Sequence, residues 1–195
     1  DVERSRGLGD VYKRQDIKLD DRDGGAAMRA RIEDAGLTAC ATAKEAVEGA
    51  EIVICVVTAD QAAKAAAAAR HLAAGALWLD MNSCAPGTKQ IAAGPVNAAG
   101  GTYVDVAVMA PITPRGHETP MLAASAEPDS VAARLAEAGL APRFVGSDIG
   151  RASTIKMLRS VMVKGMEALT VECFRAAVRA GCLLYTSPSP RDLST

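Results

Sequence analysis

The stretch EIVICVV, Glu51 to Val57, is apolar at nearly every position and β-branched at most of them. A strand with one wet face alternates apolar and polar residues, so an unbroken run of this kind belongs inside a parallel sheet that helices cover on both faces. ALWLDMNS (Ala76 to Ser83) and TYVDVAVM (Thr102 to Met109) follow the same rule. Each is preceded by a glycine, Gly75 or Gly101, suited to ending a helix. Alanine-rich segments with helical spacing lie near Gly24 to Ala35, Ala59 to Ala73 and Pro86 to Ala99, the last opening on a proline at a helix start. This alternation is the βαβ signature. PMLAAS (Pro120 to Ser125) and PRFVG (Pro142 to Gly146) predict shorter closing strands around a helix from Pro128 to Ala138. Ile149 to Ala180 contains no proline and predicts one helix about 45 Å long, more than a domain of this size requires. It reads as a connector.

The two ends fit none of this. They resemble translated sequencing-adapter DNA: one duplex can encode SRGLGDVYKRQ (Ser5 to Gln15) on one strand and CLLYTSPSPRD (Cys182 to Asp192) on the other. Residues 1–15 and 182–195 are therefore set aside as adapter-derived, and Gly7-Leu8-Gly9 with them as a glycine loop. The fold class expected of the remainder is α/β, a doubly wound, mostly parallel, Rossmann-like sheet, incomplete at its N-terminus and followed by a long interdomain helix.

Charge and cysteine usage exclude several functions. Lys and Arg number 22 against 23 Asp and Glu, a net charge of −1, which leaves no basic field for nucleic acid. Of the five cysteines, Cys182 is set aside with the C-terminal segment, and Cys40, Cys55, Cys84 and Cys173 show no CxxC or metal-ligand spacing, so no metal site is expected. They read as reduced, mostly buried thiols of a cytoplasmic protein. No apolar run approaches the roughly 20 residues of a membrane helix, so no membrane partner is expected.

In an open parallel sheet, ligands bind beyond the carboxyl ends of the strands. That rule selects Val57-Thr58-Ala59, Asn82-Ser83 and Met109-Ala110-Pro111. Small hydroxyl and amide side chains there can approach a cofactor, although Thr58 and Ser83 could each serve only as a helix cap.

At these residues the chain resembles the β-hydroxyacid dehydrogenases, which include 6-phosphogluconate and 3-hydroxyisobutyrate dehydrogenases. LDMNSCAP (Leu79 to Pro86), YVDVAVMAP (Tyr103 to Pro111) and IGRASTIKMLRSVMVKGMEAL (Ile149 to Leu169) carry the likeness. It implies a partial dinucleotide-binding domain over 16–148, an interdomain helix over 149–181, and NAD or NADP as cofactor. It also implies a small hydroxyacid substrate, a homodimeric parent, and a fragment that is inactive alone. The family's catalytic lysine matches Lys156, and its cofactor loops match Val57, Thr58, Asn82 and Ser83. Asp16 stands where an acidic residue would meet the adenine ribose, with Asp20 the alternative; an Asp there leans toward NAD. The family's Ser-Gly-Gly substrate loop is replaced by Met109-Ala110-Pro111, and its asparagine one turn after the lysine by Ser160. The pattern is closest to a bacterial subgroup with an atypical C-terminal domain.

Lys156 also has a physical case of its own. Ile155, Met157 and Leu158 surround it with apolar side chains that can desolvate its ammonium, and Ser160 lies one turn away. A lysine snorkelling from an amphipathic helix is the bland alternative. His71 reads as structural, His117 as a loop residue near the crevice, Trp78 as core, and Asp105 as an anchor at its strand's end. Cys84 lacks a histidine partner and is no nucleophile. A hydride-transferring dehydrogenase and a non-catalytic nucleotide-binding regulatory module both remain compatible with these residues.

Overall fold

In the computed structural model, residues 12–182 are described. Two short strands, β1 (Lys13–Arg14) and β2 (Thr38–Ala39), pair in parallel as a sheet of their own, linked by a 3-10 turn (Ile17–Asp20) and helix α1 (Gly25–Asp34). Helix α2 (Ala43–Val47) leads into a five-stranded sheet. Its strands are β3 (Ile52–Cys55), β4 (Leu77–Asp80), β5 (Thr102–Val108), β6 (Met121–Ala124) and β7 (Arg143–Phe144), side by side in that order. β3, β4 and β5 are parallel, β6 runs antiparallel to β5, and β7 runs parallel to β6. The Rossmann-like architecture expected from the sequence is present, with a mostly parallel sheet and a long C-terminal helix.

Strand periodicity sorts the core into two layers, because successive side chains leave a strand on opposite faces. On one face Trp78 and Tyr103 pack with Ala66 and Ala69 and with Ala92 and Val96 of α4 (Pro86–Ala98). On the other, Leu77, Leu79, Val104 and Val106 pack against Val131 and Leu135 of α5 (Pro128–Glu137). Alanine serves the first layer well because it lets helices approach the sheet closely.

The structure corrects the sequence reading in four places. The helix expected over Ala59 to Ala73 is one short turn, α3 (Ala62–Ala65), followed by 3-10 helix over Ala66–His71. Ala66 and Ala69 are both fully buried, and a three-residue period puts them one above the other. The long helix α6 (Arg151–Arg179) begins two residues later than expected. EIVICVV is not buried on both faces: Ile54 is 52% exposed, whereas Leu77 and Leu79 beside it in the sheet are 1% exposed. Lys13 and Arg14, set aside on sequence grounds, form β1, and since strand pairing uses only the main chain, many sequences can supply it. The adapter reading of 1–11 and 183–195 lies outside the described residues.

The chain divides into two units, Asp1–Thr154 and Ile155–Thr195. The second consists, among the described residues, of most of α6, and it exposes Leu158, Val161, Met162, Leu169 and Val178.

Candidate functional site

Five polar side chains are buried together between β4, β5 and α4. Lys89 projects from α4 and is fully buried, as are Asp80 at the end of β4 and Asp105 in β5. The Lys89 ammonium lies 2.9 Å from Asp80 Oδ1 and 3.6 Å from Asp105 Oδ1, and donates to the Asp80 carbonyl at 2.6 Å. Tyr103 donates its hydroxyl to Asp80 Oδ2 at 2.5 Å, and Ser153 donates to Asp105 Oδ1 at 2.6 Å. Burial, reinforced by the Asp80 carboxylate, pushes the Tyr103 phenol far above its ordinary range, so it acts as a neutral donor. One cation thus sits between two carboxylates whose other lone pairs accept neutral donors, the condition under which buried charge is tolerated.

Asp105 also fixes where α6 begins. Its Oδ2 accepts from the Gly150 and Ser153 amides at 3.1 Å each, satisfying amides at the start of a helix that has no internal partner for them. Gly150 has φ +98°, and a Cβ there would fall 3.0 Å from Pro86 Cβ, so the turn requires glycine. Asp105 is the anchor the sequence suggests, but it lies in the middle of β5 and not at the strand's end; Lys89 carries no sequence signal beyond one lysine in a helix.

The network ends at the loops. Asp80 Oδ1 accepts from the Asn82 amide at 2.9 Å and from its side-chain Nδ2 at 2.7 Å. Asn82 Oδ1 in turn accepts from the Val57 amide at 2.5 Å, and Nδ2 also reaches the Cys55 sulfur at 3.4 Å. Asn82 is therefore a buried strut that locks the loop after β3 to the loop after β4, and its side chain is occupied by the protein. Burial drives the Cys55 thiol up to about 11 despite the Asn82 hydrogen bond, and raises Cys84 as well. Both shifts favour the neutral thiol over the thiolate that a nucleophile requires.

The loops that Asn82 joins present Val57, Thr58 and Ser83 as exposed residues. Thr58 and Ser83 cap neither following helix: Gln61 and Ala85 hold those positions. The Thr58 hydroxyl instead bonds Asp60 and, with Gln61, holds that carboxyl below its usual range. Asp16 follows β1, half-buried, and caps the 3-10 turn by accepting from the Lys18 amide at 3.1 Å. Burial raises its pKa, but the Lys18 amide and the Arg14 guanidinium, 3.1 Å away, outweigh that and leave it lowered. Asp20 is exposed. Met109 is half-buried against Ala107, Ala124 and Ala152, and its amide donates to the Pro120 carbonyl at 2.9 Å; Ala110 is likewise half-buried. Lys156 and Ser160 belong to the second unit, where both are half-buried and one helical turn apart. His117 is exposed, Trp78 is buried in the core, and His71 accepts from Arg70 Nε at 3.0 Å. No cluster of metal-ligating residues exists among the described residues, and no described helix is long and apolar enough to cross a membrane.

This donor set suits a dinucleotide: an ionised carboxylate after β1, and exposed backbone with hydroxyl side chains beyond the carboxyl ends of β3 and β4. The comparisons with known proteins agree. Residues 13–114 match the family model described as the NAD binding domain of 6-phosphogluconate dehydrogenase. A conserved hypothetical protein from Sinorhizobium meliloti 1021 is 36% identical with a TM-score of 0.75, the match covering 87% of this chain and 57% of that one. The conserved protein MTH1747, described as structurally similar to 3-hydroxyacid dehydrogenases, is 30% identical with a TM-score of 0.67, over 87% of this chain and 61% of that one. An imine reductase from Myxococcus stipitatus, in complex with NADP+, shares the fold at 20% identity and a TM-score of 0.71, over 91% of this chain and 61% of that one. The chain therefore spans about three-fifths of the length of these relatives. No curated protein matches it.

Proposed function

Because the chain belongs to the family of the NAD-binding domain of 6-phosphogluconate dehydrogenase, we infer that the whole protein is an NAD(P)-dependent oxidoreductase acting on a 3-hydroxyacid. The observation that carries this reading is the Asn82 strut, which ties the loops after β3 and β4 into one rigid edge at the carboxyl ends of the strands. A bound nicotinamide dinucleotide supplies the hydride acceptor. The protein's own residues supply position and proton transfer. Val57, Thr58 and Ser83 would line the cofactor, with Asn82 holding their backbone. Asp16, kept ionised, would accept from the adenine ribose and disfavour a 2′-phosphate, so NAD is the expected partner. Lys156 would take the proton from the substrate hydroxyl as general base and, once protonated, stabilise the oxygen as charge develops. Ser160, Met109 and Ala110 would contact the substrate. The protein would be a cytoplasmic homodimer.

A non-catalytic nucleotide-binding module is the competing reading, and it has no use for Lys156. In the whole protein, Lys156→Ala should lower kcat at least about a hundredfold with cofactor affinity nearly unchanged, the scale of lost general acid/base catalysis. Lys164→Ala, two turns along the same helix, should do far less. Equal effects, or a normal rate for Lys156→Ala, would end the assignment.

A further inference from the structure

Lys89 stands unequally between its two carboxylates. A lysine ammonium carries three N–H donors. Asp80 takes two of its bonds, at 2.6 Å to the carbonyl and 2.9 Å to Oδ1. Asp105 Oδ1 lies 3.6 Å away, beyond hydrogen-bond length. That oxygen is held instead by the Ser153 hydroxyl at 2.6 Å, while Oδ2 accepts the Gly150 and Ser153 amides. The first turn of α6 and Lys89 thus compete for one carboxylate, and the helix holds it. Lys89, Asp80 and Asp105 are all fully buried, so water does little to screen the attraction that the ammonium forgoes.

Asp80 in turn sets which way Asn82 faces. Its Oδ1 accepts from both Asn82 nitrogens, which leaves the Asn82 oxygen for the Val57 amide. An amide turned the other way would set its oxygen against the carboxylate. We propose that Lys89 is a positioning residue for the dinucleotide: its ammonium stays on Asp80, and so keeps the loops after β3 and β4 in their binding form, only while the first turn of α6 caps Asp105. If the cap opens, Asp105 gains a free oxygen that draws the ammonium across. Asp80 is then a buried charge without its cation, the costliest state for such a group, and it loosens Asn82 and with it Val57. A cation with two alternative seats is the kind of two-state element through which distant sites can be coupled. It would tie the nucleotide edge to the helix that carries Lys156. The coupling is a property of this chain, and its service to a cofactor rests on the functional reading above.

Hydrogen exchange on the isotopically labelled chain tests it. Ser153→Ala should speed exchange at the Val57 amide by at least about fivefold, the lower end of coupling between sites, with Val131 and Leu135 on α5 unchanged. Reciprocally, Asn82→Ala should speed exchange at the Ser153 amide, so either variant alone can decide the matter. Thr154→Ala removes a 2.7 Å bond to the Gly150 carbonyl in the same turn without touching Asp105, and should leave Val57 as it was. In Asp105→Asn, where Lys89 has only Asp80 to neutralise, adding Ser153→Ala should no longer affect Val57. An unchanged Val57 in Ser153→Ala, equal acceleration at Val131, an equal effect from Thr154→Ala, or an effect that persists in Asp105→Asn would each overturn the proposal. In the whole protein, NAD should slow exchange at Ser153, and Asp105→Asn should abolish that slowing. Bound NAD with Ser153 unaffected would overturn the proposal as well. Failure to bind NAD or NADP at all would instead remove the cofactor reading, and the coupling within the chain would stand or fall by the Val57 result.

Discussion

β3 and β5 invert what their sequences promise. EIVICVV carries no charge between Ile52 and Val57, yet Ile54 is half exposed. TYVDVAV carries an aspartate, yet every residue from Tyr103 to Ala107 is buried. The difference lies in the neighbours. β5 has a strand on either side and a buried lysine above it, so its carboxylate is compensated and its apolar residues are covered. Among the described residues, β3 has a strand on one side only. An apolar run states what a strand requires of its surroundings, and only the assembled sheet determines whether the requirement is met.

That contrast can be broken most decisively at Lys89. Lys89→Met strands two buried carboxylates and should cost about 3 to 5 kcal/mol of stability in chemical denaturation. Adding Asp80→Asn to the same chain should restore part of it; a single-mutant loss below about 1 kcal/mol would mean that water already reaches the network. Asn82→Ala comes next. It leaves the Val57 amide without its acceptor, and a loss of about 1 to 3 kcal/mol should accompany faster hydrogen exchange at Val57. The smallest effect belongs to the edge. Ile54→Thr should shift stability by no more than about 0.5 kcal/mol, as surface substitutions do, and a much larger loss by thermal unfolding would show that the edge is covered.

Much of the fold was legible because apolar runs and alanine periodicity are local properties. β4, β5, α4, α5 and α6 all lie within a few residues of where pattern alone puts them. The 3-10 stretch over Ala66–His71 was not legible, since four alanines and a terminal Arg-His pair carry no mark of which helical period their packing will favour. Strand exposure was not legible either, as β3 shows. At the site, the loops after β3 and β4 follow from the rule about carboxyl ends, but their roles divide differently than residue type suggests. Asn82 was read as a cofactor ligand because amides hydrogen-bond ligands; in the fold its amide is consumed by Val57, Asp80 and Cys55. Lys89 is not legible because a lysine in a helix is normally at the surface, and only the meeting of Asp80 with Asp105 across neighbouring strands gives it a reason to be inside.

The carboxylate of Asp105 joins residues far apart in the order of synthesis. Its bonds to Gly150 and Ser153 span 45 and 48 residues, whereas α6 can nucleate from its own sequence in about a microsecond. On a ribosome adding about 5 to 20 residues per second, Asp105 is therefore made seconds before the amides that will cap it. During that interval Asp105 has no helix start to cap, so this contact can form only late in the chain's synthesis. Expression of shortened chains should divide at this point, those ending before Gly150 leaving the strand unfinished and those passing Ser153 closing it.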